Sequence, residues 1–303
     1  MARRTRRTTG PLDLRQQAVL RAIIEEYVTT ATPVGSVTLV ERYSLGVSSA
    51  TVRNVLAELE AGGYLTHPHT SAGRIPTDAG DRYFIEAIID AVPLPPVEQL
   101  MIRHQFGQVE FANEQWFRLA ATTIAAATRA AGLATPAKPQ AARVRRIDLV
   151  GLQDRLARLE VDDPNTAVLG RVCEQVIRLL RESDAAALAD VFSDGLLNVM
   201  AAPEFAQADK LRRILSILEN RAYLADLFAA VTRSGRVQVF IGRENGADEM
   251  SDVALVLAPY GRPGRAVGVV GVLGPTRMRY AQAIGTVRFV GGLMNELVDH
   301  LYA

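Results

Sequence analysis

The chain has 303 residues, 49% of them hydrophobic and 22% charged, with a formal net charge of +1. That is ordinary globular composition, long enough for two domains and a real core. A single cysteine, Cys173, excludes an internal disulfide framework and any zinc site built on several thiolates; its expected place is a buried helical position. The longest apolar runs, such as 266–273, fall far short of the ~18 residues a membrane span needs. The N-terminus MARRTRRTTGPLDL lacks the apolar stretch of a secretory signal, so the expected location is the cytoplasm. Only Lys138 and Lys210 are lysines, so the basic residues are otherwise arginine. The near-neutral total leaves a nucleic-acid partner open, since only the distribution of charge bears on it.

Residues 1–12 read as a disordered basic tail carrying Arg3, Arg4, Arg6 and Arg7. From Leu14 a helical period sets in, with Val19, Leu20, Ile23, Ile24, Tyr27 and Val28 on one face, ending at Pro33 and Gly35. A short second helix follows, with Ser36 as its expected cap. After the turn Ser44-Leu45-Gly46-Val47, Ser48 or Ser49 caps a third helix whose inner face is Val52, Val55, Leu56 and Leu59. Residues 64–67 and 74–76 read as two short strands joined by turn residues, and Thr77 or Asp78 caps a fourth helix reaching Ile89. The Pro93-Leu94-Pro95-Pro96 stretch is a stiff spacer and the first domain boundary.

Beyond it, helices are expected at about 97–106 and 114–131, the latter capped by Asn113. A Pro/Ala-rich loop follows over 132–142, then a strand at 144–152. Asp163 before Pro164 marks a helix start, and helices dominate to about residue 231. Three β-like runs, 237–241, 253–259 and 266–273, precede a closing helix over 281–301. The order is α+β: a strand, a helical block, then strands. It suggests one domain inserted in another, with the helical insertion at 151–233 and its host at 97–150 and 234–303.

Three helices, a hairpin and a further helix over 13–92 outline a winged helix-turn-helix, whose third helix would lie in the DNA major groove. Its outward residues would be Ala50, Thr51, Arg53, Asn54 and Ala57. Arginine suits guanine O6/N7, asparagine suits adenine N6/N7, and small apolar groups meet a thymine methyl. Ser48 and Ser49 at the helix start are placed for phosphate. The hairpin tip offers His69, Ser71 and Arg74 to phosphate or the minor groove. Residues 1–92 hold ten arginines and ten acids, so charge does not choose between a DNA-reading face and a plainly solvated one.

No catalytic, cofactor or metal constellation emerges. Gly268, Gly271 and Gly274 do not match a phosphate-loop spacing and are expected to permit close strand packing. His67 and His69 lack further ligands, and His104 and His300 have no nucleophile beside them.

The run PVGSVTLVERYSLGVSSATVRNVLAELEAGGYLTHPHTSAGRIPTDAGDRYF closely resembles the heat-inducible transcription repressor family HrcA. The resemblance resumes at GLLNVMAAPEFAQADKLRRILSILE, VQVFIGREN and GVVGVLGPTRMRYAQAI. It implies a homodimeric repressor of chaperone operons, bound to an inverted-repeat operator of double-stranded DNA called CIRCE. It also implies a winged helix, a GAF-like domain with an inserted dimerising domain, and a chaperonin partner. Asp81 and Arg279 depart from the family pattern, and the region after Leu152 looks short for it. A second reading is a GAF-type regulator that senses a small molecule.

Overall fold

The computed structural model describes residues 11–68, 73–88, 93–109, 113–139, 174, 191–205, 210, 212, 216, 220–246 and 250–301. The first helix, α1 (Leu14–Thr30), starts at Asp13, whose side chain accepts from the Gln16 amide at 2.8 Å while Gln16 returns a bond to the Asp13 amide. This reciprocal pair satisfies two of the donors that a helix start leaves open. Leu12, expected in the tail, is tied down instead: its amide donates to Tyr83 Oη at 3.0 Å. Residues 1–10 lie outside the described residues.

Helices α2 (Ser36–Arg42) and α3 (Ser49–Ala61) follow. Ser36 is not the cap of α2. Gly35 occupies that position without a side-chain bond, and Ser36 Oγ instead meets Ser49 Oγ at 3.0 Å, tying the two helices together. Leu20, Ile23, Ile24, Leu39, Val52, Leu56 and Leu59 meet in one buried core, as the helical spacing requires. Strands β1 (Leu65–Thr66) and β2 (Ile75–Pro76) form the antiparallel hairpin, and Val34 bridges to Arg74 beside it. Thr77 caps α4 (Asp78–Tyr83). Helix α4 then loosens into a π-helical stretch, Phe84–Ile88, where one uninterrupted α-helix was expected.

The larger unit begins with α5 (Pro96–Gln108) and α6 (Asn113–Thr128). The expected loop after α6 is a strand, β3 (Ala131–Ala134), buried along its whole length. Its sequence, Ala-Gly-Leu-Ala, has weak strand propensity and no alternation. Position decides instead, because a Cβ on Gly132 would stand 1.9 Å from the Ala121 carbonyl oxygen of α6. Strand β4 (Lys138–Pro139) is short, and the expected strand at 144–152 and helix start at Asp163 lie outside the described residues.

The helical block also differs from expectation where it is described. Phe192–Asp194 forms β5, which pairs antiparallel with β3. Next come α7 (Leu196–Met200) and α8 (Arg221–Ser234), whose Leu224, Phe228 and Val231 pack on the sheet. Residues 192–200 and 221–234 are thus part of the sheet unit, not separate from it. Their polar β5 sequence, Phe-Ser-Asp, gave no strand period.

Strands β6 (Gln238–Ile241), β7 (Val253–Arg262) and β8 (Ala266–Pro275) complete an antiparallel sheet in the order β5-β3-β8-β7-β6, with β4 also on β8. The closing helix α9 (Tyr280–Leu301) and α6 cover one face, while α7 and α8 cover the other. That explains the unbroken apolar runs of β7 and β8, since a strand covered on both faces has no polar side to alternate. Gly268 and Gly271 do permit close packing: a Cβ would meet the Tyr260 ring at 2.4 Å and Leu257 at 2.3 Å respectively.

Candidate nucleic-acid interface

Helix α3 presents two chemically distinct faces. Val52, Val55, Leu56 and Leu59 are buried, while Ala50, Arg53, Asn54 and Ala57 are exposed. The helix starts at Ser48, whose Oγ accepts from the Thr51 amide at 3.2 Å and sits 3.0 Å from Thr51 Oγ1. Thr51 is therefore half-buried and engaged with its own cap, and its hydroxyl is less available than its helical position suggested. Ser49 is engaged with Ser36.

Arg53 and Asn54 make no side-chain hydrogen bond or ion pair among the described residues, so both can be offered outward. Nearby acids are turned toward partners. Glu60 takes Arg74 Nε at 2.7 Å, and Glu58 accepts from Gln16 at 3.0 Å. Glu26, its side chain 7% exposed, pairs with Arg42 at 2.7 Å and anchors α1 to α2. The outward strip of α3 is left with one cation, one amide and small groups.

Arg74, which the hairpin could offer to phosphate or the minor groove, pairs through its guanidinium with Glu60 and donates to His67 Nδ1 at 2.8 Å, bracing the hairpin against α3. His69 and Ser71 lie outside the described residues, as does Cys173. His104 contacts Gln108 at 2.9 Å. Among the described residues no cluster of three or more His, Cys, Asp or Glu side chains can hold a metal, and no helix is long and apolar enough to cross a membrane.

Polar contacts that sequence reading missed join the helical unit to the sheet unit. Arg82 of α4 donates to the Val239 carbonyl at 2.6 Å and to Glu244 Oε1 at 3.1 Å, and this bonding to Glu244 holds its guanidinium charged above the usual range. Asp78 accepts from the Arg243 amide at 3.1 Å. Arg277 donates to the Val28 carbonyl at 3.2 Å and pairs with Glu204. Between these contacts lies Asp81, buried. Desolvation pushes its carboxyl well above the usual carboxylate range, and nearby Asp78 pushes it further. Pairs separated by over 150 residues leave no local trace in a sequence. Only the Asp13/Gln16 cap had a readable signal, its three-residue spacing before a helical period.

The family model "HrcA protein C terminal domain" matches residues 155–284. The heat-inducible transcription repressor HrcA of Chloroflexus aurantiacus is 37% identical over 356 aligned positions, covering 97% of this chain and 96% of that protein. That of Herpetosiphon aurantiacus is 38% identical, covering 96% of each. Both alignments run longer than the 303 residues here, so this chain lacks segments that the relatives have. A crystal structure of a hypothetical protein shares the fold with a TM-score of 0.66 at 22% identity, covering 95% of this chain and 99% of that one. The relatives are transcription repressors, which act on DNA, and not enzymes. The chain belongs to the heat-inducible transcription repressor HrcA family.

Proposed function

We propose that this protein represses chaperone operons by binding, as a homodimer, an inverted-repeat operator of the CIRCE type. In this reading residues 13–92 act as a winged helix-turn-helix. Helix α3 enters the major groove, with Arg53 and Asn54 reading base edges and Ala50 and Thr51 beside them. Ser48 and Ser49 at the helix start, with His69 and Ser71 of the hairpin, approach the backbone; Arg74 supports the hairpin rather than serving as a free cation. The sheet unit, over 97–150 and 234–303 together with the strand and helices of 192–234, acts as a GAF-like domain. A dimerising insertion is then confined to the part of 151–233 preceding β5. A chaperonin partner and a cytoplasmic location complete the reading.

The observation that carries it is the division of α3, with its apolar face locked into the core and an unpaired arginine and asparagine on the other. An exposed strip of one cation, one amide and small groups is suited to direct base readout. A dimer matches an operator of two half-sites about 34–36 Å apart along one face of the duplex. Fluorescence anisotropy tests this with a duplex carrying the inverted repeat from a chaperone promoter, a single half-site, and scrambled DNA. The reading expects the repeat to bind with the highest affinity and two protomers per duplex. Equal affinity for repeat and scrambled DNA would refute it.

A further inference from the structure

A cavity of about 450 Å³ opens between α1 and the start of α9, so one wall belongs to the helical unit and the other to the sheet unit. Its floor is apolar, formed by Ile24 and Val28 from α1, Phe84, Met278 and Tyr280. Tyr280 is fully buried and its hydroxyl is committed to the Thr276 carbonyl, so it offers the cavity a ring rather than a polar handle. Phe84 opens the π-helical stretch, a geometry that recurs at functional sites.

The rim is charged. Arg21, Glu25 and Arg279 line it, an excess of one positive formal charge. Arg279 is exposed, and its guanidinium makes no hydrogen bond or ion pair among the described residues. An apolar floor with a few polar groups at the edge, within the ~300–1,000 Å³ of small-molecule pockets, is ligand-site architecture.

We propose that this cavity binds a small amphipathic monocarboxylate, its apolar body on Phe84, Met278 and Tyr280 and its carboxylate on Arg279. The site is distinct from the α3 face. Its occupant touches both units at once and binds only their docked arrangement, so occupancy stabilises that arrangement. Glu25 disfavours a second negative charge, which restricts the class to monoanions.

Calorimetric titration of the full chain with 4-phenylbutyrate and its uncharged amide tests the site. The carboxylate is expected to bind saturably, with the amide weaker by about tenfold, the scale of one lost charge-assisted hydrogen bond. Arg279→Glu, at an exposed position, should weaken the carboxylate by at least as much and leave the amide and the urea midpoint unchanged. Ala281→Trp, which fills the cavity from its wall, should abolish both. Hydrogen exchange on the wild-type protein should slow at both 24–29 and 278–282 when 4-phenylbutyrate is present. No saturable binding by about 10 mM, unchanged affinity in Arg279→Glu, equal affinity for the amide, or protection elsewhere would each overturn the proposal. Operator binding without ligand reports on α3 separately, so either idea can fail alone.

Discussion

The strand that the sequence concealed offers a sharp test of packing. In Gly132→Ala, the new Cβ would stand 1.9 Å from the Ala121 carbonyl oxygen, 2.8 Å from its carbon and 2.9 Å from the Ala125 amide nitrogen. All three are backbone atoms of α6, so no side chain can swing aside. Either α6 must lift, or β3 must withdraw from its ladders with β5 and β8. Overpacking costs about 1–3 kcal/mol where side chains can adjust, and a backbone clash belongs at the upper end, about 3 kcal/mol. Gly292→Ala is the control, because nothing lies within 4 Å of a Cβ at that exposed helical position. It should stabilise by about 0.5–1 kcal/mol through helix propensity. Trp116, the only tryptophan, lies on α6 in the same core, so its fluorescence reports this unit during urea unfolding. With a slope of about 2 kcal/mol/M, the two midpoints should move in opposite directions, by about −1.5 M and +0.3 M. A Gly132→Ala midpoint within about 0.5 M of wild type would refute the placement of β3 under α6.

Other perturbations test other parts. Arg53→Ala and Asn54→Ala should each cost about 1–3 kcal/mol of operator binding at particular base pairs, with circular dichroism unchanged; equal loss on random DNA would make them phosphate contacts. Asp81 has a folded pKa raised by burial, so its neutral form suits the native state and its stability contribution is lost as pH rises through that raised value. Asp81→Asn should therefore raise the urea midpoint more at pH 8 than at pH 4.5, and a gain independent of pH would contradict the assignment. Arg82→Ala removes the bonds to Val239 and Glu244, and should speed hydrogen exchange at 239–245 without altering exchange in α3. Unchanged exchange at 239–245 would show that Arg82 does not hold the junction.

What was legible in the sequence divides along physical lines. The inner faces of α1 and α3 and the long strands β7 and β8 were readable, because periodicity and continuous apolar runs are imposed by burial itself. The split of α3 into a core face and an Arg53/Asn54 face follows from the same spacing. Strands β3 and β5 were hidden, since Ala-Gly-Leu-Ala and Phe-Ser-Asp owe their conformation to a ladder partner rather than to propensity. Ser36 carried the expected cap chemistry yet binds Ser49, because its hydroxyl sits one residue inside the helix. The pairing of Arg74 with Glu60 was not readable, because Glu60 is brought close only when the hairpin folds onto α3.

The most direct test of α3 as the reading element is footprinting on the organism's own chaperone promoters, with the wild-type protein and an Arg53→Ala/Asn54→Ala double variant side by side. The account predicts that the wild type protects an inverted repeat symmetrically, both half-sites together. It predicts that the folded double variant loses that protection while retaining weak, sequence-independent binding. Protection of the same repeat by the double variant, or no protected repeat with the wild type, would contradict it.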